Sequence, residues 1–142
     1  MPYPKEYQTA TMDFQNFLAD VKKNASFESS HMAYTMAQGV FQTFRRRLSL
    51  KDAILFANIL PVGLLALFVS KWVPEERKVP FESRENMNKE VGKLRPEHNF
   101  SFQVEDPILE VAKALRNQVN KSTLDAMLQK FPAGAVEFWS TI

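Results

Sequence analysis

Slid against itself by 71 residues, half its length of 142, the chain matches itself without a gap. The segment "VFQTFRRRLSLKDAILFANILPVGLLALF" (40–68) falls on "VAKALRNQVNKSTLDAMLQKFPAGAVEFW" (111–139). Phe44 meets Leu115, Arg45 meets Arg116, Leu48 meets Val119 and Ala53 meets Leu124. Phe56 meets Met127, Leu60 meets Phe131, Pro61 meets Pro132, Gly63 meets Gly134 and Phe68 meets Trp139. Apolar positions, turns and punctuation coincide, so the chain is expected to build one supersecondary unit twice. A unit of this size has a small core, and the two copies are expected to bury their apolar faces against each other as one cooperative domain spanning residues 1–142.

The duplication also decides how the uncharged run from Ala53 to Val69 is read. Its counterpart carries Asp125, Lys130 and Glu137 where the first copy has Ile54, Ile59 and Ala66. A charge at the centre of a bilayer costs roughly 3 kcal/mol even on the mildest scales. The run is also too short to span, since about 20 residues are needed, and Asn58, Pro61 and Gly63 interrupt it. No membrane span is expected. The reading is of two short helices meeting at Leu60-Pro61, with Pro61 in the first position of the second, where its missing N–H costs nothing.

Each copy opens with a further helix. Phe14, Phe17, Leu18 and Val21 recur at helical spacing behind Thr11 as cap, and Met87, Val91 and Leu94 do so behind Ser83, at an offset of 73. A second helix, about 30–48, carries Ala33, Ala37, Phe41, Phe44 and Leu48 on one side; its partner starts at Asp106-Pro107, a cap followed by proline, and runs to Val119. Ser49, with Asp52 three residues on, approximates a capping box, and Asn120 holds the same place in the second copy. The spacing thus predicts an all-α bundle of about eight helices in two tandem four-helix repeats. Repeat one covers about 11–72 and repeat two about 83–140. The connector, 73–82, is rich in proline and charge and reads as solvated; "RPEHNFSFQVE" (95–105) is the other irregular stretch.

Twelve Phe and six Met against four Gly suit helices with a large-residue core. With no cysteine there is no disulfide framework and no thiolate chemistry. The first residues carry no apolar signal segment, and a cytoplasmic location is the expectation. Net charge is +2. Residues 1–71 hold 8 Lys/Arg against 5 Asp/Glu and residues 72–142 hold 10 against 11, a balance that argues against a nucleic-acid partner.

A helix ending in "FRRRLS", the run "LKDAILFANILPVGLLALFVSKW", the connector "VPEERKVPFESREN" and a second copy closing on "FPAGAVEFW" resemble a bacterial family catalogued as domain of unknown function 2267. The likeness extends from about Tyr7 to Trp139 and is carried by Leu60-Pro61, Phe131-Pro132 and Trp72-Val73-Pro74. Where the family pattern has a Gly-Trp-Asp-Pro-like run, this chain has Lys71-Trp72-Val73-Pro74, so an acidic group at position 73 is not required. The resemblance implies an all-helical soluble domain and brings no catalytic residue, substrate or cofactor.

Candidate chemistry is thin. His31 and His98 are the only histidines, and neither has a His, Asp or Glu at i+3 or i+4 to complete a ligand pair. Glu75-Glu76 sit in the connector, and Glu105-Asp106 precede a helix, where negative charge complements the dipole. No nucleophile elbow or phosphate-binding glycine loop occurs. A non-enzymatic protein with no catalytic, cofactor or metal residue is expected.

Three binding readings follow. In the first, the protein is an interaction module that self-associates, with Ile54, Phe56, Leu64, Leu67, Phe68 and Trp72 as the candidate interface, because the first copy is the more apolar. In the second, the Phe/Met interior carries an apolar or lipid-like ligand. In the third, Arg45, Arg46 and Arg47 contact an anion or nucleic acid. Successive helical residues splay by about 100°, so the arginines do not form one flat patch. Helix-end placement, or pairing of Arg45 and Arg116 with carboxylates of the chain itself, accounts for them without a ligand.

Overall fold

A computed structural model gives the fold and describes residues 3–93 and 104–142. The described residues are helical, with no strand among them. A short helix α1 (Lys5–Gln8) precedes repeat one, which holds α2 (Ala10–Ala25), α3 (Ser30–Arg45), α4 (Leu50–Ala57) and α5 (Val62–Val69). Repeat two holds α6 (Arg84–Lys93), α7 (Pro107–Arg116), α8 (Lys121–Leu128) and α9 (Ala135–Phe138).

The caps of α4 and α8 coincide to the residue. Ser49 accepts from the Asp52 N–H at 3.1 Å and starts α4; Asn120 accepts from the Thr123 N–H at 3.0 Å and starts α8, 71 residues on. Asp106 accepts from the Leu109 N–H at 3.1 Å with Pro107 in the first position of α7, and the Ser83 hydroxyl accepts from the Asn86 N–H at 3.2 Å ahead of α6. Three expectations shift. Helix α2 starts at Ala10 rather than behind Thr11, and Thr9 spends its hydroxyl on Asp13 at 2.8 Å. Pro61 stands one residue before α5, not within it. Helices α3 and α7 stop at Arg45 and Arg116, where tight turns replace the last helical residues that periodicity suggested. Leu94 and His98, with residues 95–103, lie outside the described residues.

The two repeats pack reciprocally. Helix α2 lies against α3 of its own repeat and α7 of the other; helix α6 lies against α3. Helix α3, also touching α5 and α7, is consequently buried on every side from Thr35 to Arg45. The one-sided stripe expected from Ala33, Ala37, Phe41, Phe44 and Leu48 is therefore only part of what it buries. Gln38, on another side, donates to the Ser70 hydroxyl at 2.9 Å. Gly39 permits the contact with α6, since a Cβ there would stand 2.7 Å from the Val91 carbonyl oxygen. One aromatic cluster runs through both repeats: Phe41, Phe44 and Phe56 of repeat one lie within 6 Å, centroid to centroid, of Trp139 in repeat two.

Candidate functional site

The arginine run comes first because it is the strongest charge feature of the sequence. Arg45 and Arg47 are buried and Arg46 half-buried, and all three are paired within the chain. Arg45 donates from Nε to Glu76 at 3.0 Å and from Nη1 to the carbonyls of Phe68 and Ser70 at 2.8 and 3.0 Å; it also lies 5.0 Å from the Trp72 ring centroid. Arg47 reaches Glu82 at 2.7 Å and Glu90 at 2.9 Å, and Arg46 reaches Glu90 at 3.0 Å. Arg45, Arg46 and Arg47, read from the sequence as a candidate anion contact, are thus each engaged by carboxylates of the chain itself. Their splay around the helix end sends Arg45 to Glu76 of the connector, while Arg46 and Arg47 share Glu90 of α6 and Arg47 also reaches Glu82 of the connector. The connector is largely exposed, and it is also strapped over the end of α3: Glu76 and Glu82 anchor it, and the Val79 N–H donates to the Arg46 carbonyl at 3.0 Å.

Repeat two keeps the core of this device. Arg116 donates from Nε to the Trp139 carbonyl at 2.8 Å, the counterpart of Arg45 on Phe68, and from Nη2 to Asp125 at 3.0 Å. That bond, more than the accompanying charge of Lys121, holds the Asp125 carboxyl below the usual carboxylate range.

The candidate interface divides. Phe56 and Phe68 are fully buried, Leu64 and Leu67 nearly so, and Trp72 is half-covered between Arg45 and Lys78. Phe56, Leu64, Leu67 and Phe68 belong to the core, and Trp72 packs against it. Ile54 alone of the six is exposed, at 50%. Repeat one also exposes Leu50 and Leu55 on α4 and Val69 at the end of α5, with Val73 just beyond it, all by 40% or more; Tyr3, Tyr7 and Met12, on and around α1 and α2, are exposed as well. Arg45 ties the two helices together: α4 begins five residues after it, and its guanidinium holds the carbonyls of Phe68 and Ser70 at the end of α5.

Leu50, Leu55, Val69 and Val73 escaped the sequence reading, yet the repeat contains the signal. Leu50 aligns with Lys121, Ile54 with Asp125, Ala66 with Glu137 and Val69 with Ser140. In repeat two Lys121 and Asp125 pair across one helical turn at 3.3 Å; in repeat one the same turn presents Leu50 and Ile54. Val136 is the apolar side chain that repeat two exposes in this stretch, where repeat one has half-buried Leu65.

The Phe/Met interior is filled ring against ring, with Phe44 and Phe138 4.9 Å apart and Phe56 and Phe68 5.2 Å apart. An open groove of about 1080 Å³ lies instead among α2, α6 and the start of α7. Its polar groups bond each other: Asn88 donates to Asp106 at 3.0 Å and Asn24 to the Glu110 carbonyl at 3.2 Å. Exposed His31, at the start of α3, stacks on Tyr34. Among the described residues no three His, Cys, Asp or Glu side chains gather as metal ligands, and no helix is long and apolar enough to cross a membrane.

The model of an uncharacterized conserved protein family, DUF2267, matches residues 14–138, which contain both repeats almost whole. The chain belongs to DUF2267. No curated protein matches it. Within this DUF2267 chain the features described above fall into two classes: arginine clasps, one buried and one partly exposed, that tie each repeat together, and exposed apolar side chains on α4 and at the end of α5 where repeat two is polar.

Proposed function

We propose that this DUF2267 protein is a non-enzymatic protein-interaction module of the bacterial cytoplasm, whose binding face is the outside of α4 together with the end of α5. One observation carries the reading. Leu50, Ile54 and Val69 face solvent at positions where the duplicate copy places Lys121, Asp125 and Ser140. The second copy is an internal control: it shows that the fold itself does not require apolar residues there. Exposed apolar surface favours association, and a fold that can dispense with it at these positions retains it for a partner. Buried ring contacts throughout the Phe/Met interior favour this reading over that of an apolar-ligand carrier.

The test uses the same control. A photoreactive benzoylphenylalanine replaces Ile54 in one variant and Asp125 in another, and both are irradiated in cells. Capture of a protein from position 54 and none from position 125 is the expected result; equal capture, or none from 54, overturns the reading.

A further inference from the structure

We infer that an ordered internal water is bound in the arginine–glutamate cluster at the end of α3, bonded to the Thr43 hydroxyl and to the Arg47 Nε–H.

Among the described residues the buried polar and charged side chains all lie on α3 or in the turn that ends it: Thr35, Gln38, Gln42, Thr43, Arg45 and Arg47. Thr35 Oγ1, Gln38 Oε1, Thr43 Oγ1 and Arg47 Nε are buried atoms with no hydrogen-bond partner in the chain. A buried donor or acceptor left unbonded loses its hydration with nothing in return, and four such losses on one helix would cancel much of the stability of a whole domain. Buried polar groups are accordingly bonded either to protein or to ordered water. The duplicate copy shows that packing does not demand these groups: Gln38 aligns with Leu109, and Thr43 aligns with buried Ala114.

Thr43 and Arg47 are the two that the geometry brings together. They stand one turn apart on the same side of the chain. Arg47 Nη1 donates to the Thr43 carbonyl at 2.7 Å, which folds the guanidinium back over the Thr43 turn. Nη1 also meets Glu90 at 2.9 Å, and Nη2 is taken by Glu82 at 2.7 Å and by Glu90 at 2.9 Å. Of the three guanidinium nitrogens Nε is left without an acceptor, and the Thr43 hydroxyl is left without any partner. Arg46 and Arg47 face Glu82 and Glu90, so the cluster is neutral, and a neutral cluster selects a water over an ion of either sign. A water that accepts from Nε and bonds the hydroxyl supplies both missing partners, and buried waters make about three such bonds each. Because the cluster joins α3 to the connector and to α6, this water belongs to the joint between the two repeats.

The experiment is nuclear magnetic resonance on the full chain, reading magnetisation transfer from long-lived water to the Arg47 Nε–H, with urea unfolding of the unaltered chain, Thr43→Val and Thr43→Ser. The unaltered chain is expected to show the transfer. Thr43→Val keeps the shape and removes the hydroxyl; it is expected to lose the transfer and to unfold at lower urea, while Thr43→Ser keeps the hydroxyl and the transfer. An unaltered chain without the transfer overturns the inference, and so does a Thr43→Val that retains it. A Thr43→Val that unfolds at the same or higher urea also overturns it, because that is the result for a hydroxyl with no partner to lose.

Discussion

Helices α4 and α8 are one eight-residue element built twice, each started by a polar cap 71 residues from its counterpart and each packed beside the next helix of its repeat. Inward they agree: Ala53 and Phe56 on one and Leu124 and Leu128 on the other enter the common core. Outward they diverge, Leu50 and Ile54 against Lys121 and Asp125. The inner positions answer to packing, which both copies share. The outer positions are not held by that packing, so a difference there is not imposed by the fold.

The largest test of the comparison concerns the arginine clasp common to both copies. Arg45 is buried and Arg116 partly exposed, so Arg45→Met is expected to cost about 3–5 kcal/mol, leaving Glu76 and two carbonyls unpaired. Arg116→Met is expected to cost only about 1–2 kcal/mol. Urea unfolding of the two variants checks the ranking, and equal losses would show that burial does not set the worth of the clasp.

Next comes the shared glycine. Gly134 has φ +106° and a Cβ there would stand 2.7 Å from Phe81; Gly63 is helical and a Cβ would stand 2.8 Å from Phe14. Gly134→Ala adds a strained backbone to the overlap and is expected to cost about 1–3 kcal/mol. Gly63→Ala should cost about 1 kcal/mol less, because a helix interior prefers alanine by about that amount. Thermal unfolding of both measures the difference.

A third effect belongs to repeat two alone. Asp125 has its pKa lowered in the folded chain, chiefly by its bond from Arg116. Its contribution is therefore present above the ordinary carboxylate range and lost as pH falls through the lowered folded value. Asp125→Asn should flatten the acid limb of a stability–pH profile, whereas a polar residue at Ile54 should leave that limb unchanged. An unaltered acid limb in Asp125→Asn would remove the pair from the account of repeat two. The smallest effect on stability is expected from grafting the outer face of repeat two onto repeat one. The double variant L50K/I54D changes exposed positions only and should unfold within about 0.5 kcal/mol of the parent.

Much of this architecture is legible before folding. The offset of 71 exposes both repeats, and Ser49, Asn120 and Asp106 announce their helices because capping is a local hydrogen bond. The partition of the apolar run is not legible in the same way. Phe56, Leu64, Leu67 and Phe68 look like a surplus when one copy is read alone, and only the packing of α4 and α5 shows that they are core while Ile54 is not. The arginine run misleads for a similar reason. Its counterions, Glu76, Glu82 and Glu90, lie 31 or more positions from the arginines they pair with; the connector returns the first two across the end of α3, and the packing of α6 on α3 returns Glu90. Reading the exposed positions of one copy against the other, Leu50 on Lys121 and Val69 on Ser140, recovers the face that composition alone hid.

The most direct test of a face held apolar for a partner is photocapture in cells from position 54 beside position 125. The account predicts a protein adduct at position 54 and none at position 125. Equal capture from both, or none from position 54, would contradict it.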